Sequence, residues 1–111
     1  MTGIQGGTTS YVDLNGSNIA YLPPAGTTLV RYQYTFHFCY KDTFGIGHFK
    51  FFVDSDEVTK ARVSMSANGN LQVIQTLEYL LPIGGSADST TGRQASWTSA
   101  KTLKVQCFFF F

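Results

Sequence analysis

The chain has 111 residues, a formal net charge of +1 and only 14% charged residues, against 15% aromatic. That length suits one domain with a core of its own. The near-neutral charge removes the electrostatic basis for binding nucleic acid or an anionic membrane surface, and no apolar run reaches the roughly 18 residues of a membrane-spanning helix. No basic segment followed by an apolar one opens the sequence, so no secretory signal is expected.

Residues 1–16 read as a flexible leader or linker, with Gly3, Gly6 and Gly7 set among Thr8, Thr9 and Ser10. Within them, Tyr11, Val12 and Leu14 are either a short edge strand or the end of that linker. The single domain is expected over 17–111. Asn15-Gly16 predicts a turn, since both residues tolerate positive φ. Ser17 to Leu22 predicts a short strand, and Pro23-Pro24, which cannot donate ladder hydrogen bonds, makes it an edge or ends it. Ala25 to Thr28 turns the chain into its dominant stretch. From Thr28 to Tyr40, Val30, Tyr32, Tyr34, Phe36, Phe38 and Tyr40 fall on every second residue. Period two places them on one face of a strand, and no helix collects them on one stripe. A strand so aromatic on one side is expected to press against a second layer.

After Tyr40 a polar connection leads to a strand over His48 to Val53, with Phe49, Phe51 and Val53 inward. Asp54 to Glu57 makes an acidic turn, and Val58 to Met65 resumes the alternation with Thr59, Ala61, Val63 and Met65 inward. That spacing predicts a hairpin. Asn68-Gly69 signals the next turn. Leu71 to Leu81 holds period two through Leu71, Val73, Leu77, Tyr79 and Leu81, with Gln75 as the exception. Leu71, Ile74, Leu77 and Leu81 also fit a helix; the neighbouring strands favour strand. Residues 82–91 read as an exposed polar loop. Gly92 to Trp97 is a short strand or an irregular run that packs the only tryptophan. Lys101 to Phe109 closes the set, with Leu103, Val105, Cys107 and Phe109 inward. About seven short strands separated by turns predict an all-β, antiparallel β-sandwich of jelly-roll type. Tyr32, Tyr34, Phe36, Phe38, Phe49, Phe51 and Trp97 are the expected core and assembly residues. The terminal Phe108 to Phe111 would be a sticky apolar patch if solvated, so the expectation is that the natural chain continues or that the identities of these last residues are uncertain, ahead of an end covered in an interface.

Candidate sites are few. Asp54, Asp56 and Glu57 place three carboxylates at one turn, a weak pattern for calcium because a helical-hand loop needs further oxygens and a central glycine. A solvated hairpin tip is the plainer reading. His37 and His48 would pair as metal ligands if their strands were adjacent, but no third ligand has suitable spacing. Cys39 and Cys107 are either buried thiols or a bridge, the latter requiring Cα atoms within about 7 Å. Tyrosines alternating with Arg31 and Gln33 would stack sugars if exposed, and otherwise are the core face itself. No serine sits in a G-x-S-x-G setting and no glycine loop opens a helix, so neither an enzyme nor a cofactor is expected.

The run from Tyr21-Leu22-Pro23-Pro24 through Val30 to Phe36, then Gly47 to Arg62 (GHFKFFVDSDEVTKAR), resembles a family of viral and marine-metagenomic structural domains. Ala95 to Lys104 (ASWTSAKTLK) is similar to the same family's closing region. The likeness spans about residues 17–105, with FKFFVDSDEVTKAR its most specific part. Such domains occur in virion proteins such as tail fibres and capsid-surface proteins, and are similar in outline to the trimeric jelly rolls of tumour-necrosis-factor and complement heads. The resemblance implies a homotrimeric virion component in contact with other virion proteins and able to attach to a host surface glycan. A lectin-like carbohydrate-binding module on a larger protein is the alternative expectation.

Overall fold

A computed structural model describes the backbone of residues 10–40, 45–67 and 71–110, and the side chains of 10–37, 47–65 and 74–108. Over these residues the chain is an all-β protein of antiparallel strands in two packed layers.

The long aromatic stretch is β3, Leu29–Tyr40, as period two requires, and it pairs with β7, Leu71–Pro82, through an unbroken register from Leu29↔Pro82 to Tyr40↔Leu71. Strand therefore wins over helix in the Leu71 stretch. Val30, Tyr32, Tyr34 and Phe36 are buried, with Leu77 and Leu81 opposite. The side chain of Phe38 lies outside the described residues, as does the expected Asn68-Gly69 turn.

The second layer is built on β4, Gly45–Val53, and β8, Lys101–Phe110, paired from Ile46↔Phe110 to Val53↔Leu103. Outside β8 run β1, Val12–Asp13, and β2, Ile19–Tyr21. On the other side of β4 lie β5, Asp56–Glu57, and β6, Val63–Ala67. Phe49, Phe51, Val53, Leu103, Val105 and Cys107 point inward and are almost wholly buried. Rings join the layers: Tyr32 to Phe51 at 5.0 Å between centroids, Phe36 to Phe49 at 5.5 Å, and Phe51 to Tyr79 at 4.2 Å. Ring pairs at this spacing add to the area they bury.

One departure from the sequence expectation has a simple cause. The Val58 to Met65 strand is interrupted by a 3-10 turn, Thr59–Ala61, so Val58 and Ala61 are buried while Thr59 is exposed. Between the pairs Phe52↔Glu57 and Phe49↔Val63, β4 retreats three residues while its partner advances six. The turn absorbs the difference, and its three-residue period puts Val58 and Ala61 on one side. At the other end, the edge-strand alternative for Tyr11 to Leu14 is the one observed: in β1 Val12 pairs with Cys107, and Leu14 is buried.

Candidate functional site

The acidic tip is held by its own neighbours. Asp54 has φ 53° and its carboxylate accepts the Thr102 N–H at 2.8 Å, while its own N–H donates to the Thr102 carbonyl at 2.7 Å. Glu57 accepts two hydrogen bonds from the Arg62 guanidinium, one of them 2.9 Å from Nη2, with Lys50 Nζ at 3.9 Å. The Arg62 hydrogen bond holds the Glu57 carboxyl below its usual range. These contacts join the turn to β8, to β4 and to Arg62 at the end of the 3-10 turn, and leave Asp54 and Glu57 committed. No cluster of three or more His, Cys, Asp or Glu side chains converges among the described residues.

The histidines are also apart. His37 stands on the exposed face of β3, whereas His48 stands on the outer face of β4 with Nδ1 2.7 Å from Ser64 Oγ. Their strands belong to different layers, and inward neighbours put both imidazoles on opposite outer surfaces, too far apart to share an ion. Cys107 is a free, buried thiol, pushed up to about 11 by burial, which keeps it protonated and unreactive. The Cys39 side chain lies outside the described residues.

The tyrosines of β3 are the core face, and their hydroxyls act as fasteners. Tyr32 donates to the Ser17 carbonyl at 2.7 Å and Tyr34 to the Asn15 carbonyl at 2.6 Å, pinning the turn between β1 and β2 beneath β3. Burial raises both phenols, Tyr32 the more. Ser17 completes the junction: its hydroxyl donates to the Leu14 carbonyl at 2.7 Å and accepts the Val105 N–H at 3.1 Å. On the outer face of the larger layer, Tyr11, Phe108 and His48 form a cross-strand row stacked at 5.4 and 5.7 Å. The Lys50 ammonium lies 4.0 Å from the Tyr11 centroid. Ring faces in this row are turned to one another and to a cation; a sugar needs a free face to stack on.

One side of the sandwich is open among the described residues. Among the described residues β2 pairs only with β8, and β3 only with β7. Their other edges border the same groove, of about 350 Å³, lined by Ile19, Tyr21, Val30, Arg31, Tyr32 and Gln33. Ile19 is 50% exposed and Tyr21 38%, and Leu22 and Leu29 beside them are also exposed. The Trp97 indole donates to the Tyr21 carbonyl at 3.0 Å, which fixes the end of β2 against the layer. Unpaired backbone donors and acceptors beside apolar side chains form a template for another strand. Sequence reasoning reached part of this: Pro23-Pro24 makes β2 an edge or ends it, and β2 stops at Tyr21. That β3 is also an edge is a property of the whole topology.

No family model, curated protein or solved structure matches this chain.

Proposed function

We propose that this protein is a non-enzymatic structural subunit that works by self-association, in the virion setting that the sequence resemblance implies. The observation that carries the reading is the open side among the described residues: two strand edges and the exposed Ile19 and Tyr21 border one groove, with Leu22 and Leu29, also exposed, next in sequence to Tyr21 and Val30. A monomer that stayed alone would be expected to blunt such edges with charges, prolines or bulges, and β3 has an unbroken ladder with one arginine, Arg31, facing outward at the groove. Among the described residues Cys107 is buried, Glu57 is ion-paired, and His37 and His48 stand on opposite surfaces. The jelly-roll connectivity and the trimer remain part of the proposal. The test is the mass of the full chain in solution from micromolar to millimolar, by native mass spectrometry and sedimentation, with immunodetection in purified particles. A defined oligomer supports the reading; a monomer across that range contradicts it.

A further inference from the structure

We infer that the segment from Tyr11 to Tyr21 is a strap that lifts off β8 as one unit while the rest of the sandwich stays folded, uncovering the β8 edge at Leu103, Val105 and Cys107. The inference stands independently of self-association. Among the described residues β1 and β2 pair with β8 alone. With the strap away, β8 keeps its ladder to β4 from Ile46↔Phe110 to Val53↔Leu103, and β3 keeps β7. Within the strap only Leu14 and Ser17 are buried and Val12 is half-buried, while every residue of β2 is exposed. Backbone ordering opposes folding at each position, and one buried leucine offsets little of it. What holds the strap is polar. The Tyr32 and Tyr34 hydroxyls and the Trp97 indole donate to its carbonyls, Gln106 Nε2 donates to Asp13 Oδ1 at 2.9 Å, and Lys104 Nζ lies 3.4 Å from the same oxygen. Water takes over each of these contacts when the strap lifts, so each contributes little net.

The two arms move together because they are tied to each other. The Ser17 N–H and hydroxyl both donate to the Leu14 carbonyl, and Asn18 Nδ2 donates to Asp13 Oδ2 at 3.4 Å. Beyond Leu22 the chain is fixed by buried Pro23, and neither Pro23 nor Pro24 has an N–H for a ladder, so the opening stops short of β3. The hydrogen bonds of β8 divide by parity. Val105 turns its N–H and carbonyl to the strap, where the Ser17 hydroxyl and the Leu14 N–H meet them, whereas Thr102 turns its own pair to Asp54. Direction alternates along a strand, so the amides of Leu103, Val105 and Cys107 face the strap and those of Lys104 and Gln106 face β4. Lifting the strap bares the first set alone, as a strand edge that the closed form covers.

Hydrogen exchange of the dilute full chain in rising, sub-denaturing urea is the test, on wild type and on the double variant Ala20→Cys with Thr102→Cys, reduced and oxidised. Ala20 lies opposite Thr102, and because Thr102 turns its N–H away from β2 the two exchange no hydrogen bonds. Such pairs hold their Cα atoms about 4.5 Å apart, within reach of a disulfide that locks the strap down. In wild type, Leu103, Val105 and Cys107 should share one protection, about tenfold or more below that of Lys104 and Gln106, with a shallower dependence on urea. The oxidised variant should bring the two sets together, and the reduced one should leave the gap. Equal protection and equal slope of both sets in wild type would mean that the strap leaves only when the whole chain unfolds. Unequal values within the strap-facing set, or a gap that survives the cross-link, would mean fraying residue by residue. Either result overturns the inference.

Discussion

Ser17 ties the turn between β1 and β2 to β8, and Ser17→Ala isolates its hydroxyl. The side chain is 1% exposed and sits where the turn after β1 meets β8. Its oxygen is the acceptor for the Val105 N–H, and Val105 lies in a stretch of β8 that neither β1 nor β2 covers on that side. Removing the hydroxyl leaves the carbonyls provided for, since Leu14 O still accepts the Ser17 N–H at 3.1 Å and Val105 O still accepts the Leu14 N–H at 2.8 Å. The Val105 N–H is orphaned. A buried unmet donor costs about 1–3 kcal/mol, and little is regained because an alanine methyl fits where the hydroxyl was. The expected loss is therefore about 2 kcal/mol, or roughly a 1 M fall in the urea midpoint for a domain of this size. Dilute protein should be used so that association does not add to the measured stability. The m-value should stay the same, and amide exchange at Val105 should accelerate selectively. A midpoint shift below about 0.3 M would show that Val105 finds another acceptor and that Ser17 is not the tie.

Phe36→Ala should cost about 3–5 kcal/mol by urea unfolding, because the ring is buried against Phe49 and Tyr34; a loss under about 1 would mean the faces of β3 are reversed. Tyr79 Oη is buried without a hydrogen-bond partner among the described residues, whereas Tyr32 Oη donates to Ser17. Tyr79→Phe should thus be neutral or stabilising and Tyr32→Phe should cost about 1–2 kcal/mol, and the reverse order in melting temperature would refute the assignment. Burial pushes Cys107 up to about 11 and Tyr79 up to about 12 from ordinary values of 9.0 and 10.0. The unfolded chain loses these protons first, so their contribution is complete below pH 9 and falls away between pH 9 and 12. Melting temperature against pH should decline through that window, and less steeply in Cys107→Ser; a flat profile contradicts it.

How much of this the sequence disclosed depended on whether the cause was local. The β3 alternation needs only the period of a pleated strand, so Val30, Tyr32, Tyr34 and Phe36 were legible as core. Leu71 to Leu81 fits two periods, and only pairing with β3 decides it. The 3-10 turn at Thr59–Ala61 was hidden because Ala61 satisfies both a strand and a three-residue spacing; the three extra residues relative to β4 exist only once the strands are paired. Whether His37 and His48 share a surface, and whether Asp54 faces solvent or Thr102, likewise depends on contacts distant in sequence. The groove is the extreme case. Nothing in Val30 to Tyr34 says that its outer edge lacks a neighbour among the described residues.

Hydrogen exchange along β3 at two protein concentrations tests the central idea most directly. Within Leu29 to His37, amides that bond β7 should be protected throughout, while the alternating set on the free edge should exchange rapidly when dilute and slow down as the protein associates. Contradiction would come from outward amides already protected in the dilute protein, or from association that leaves their exchange unchanged.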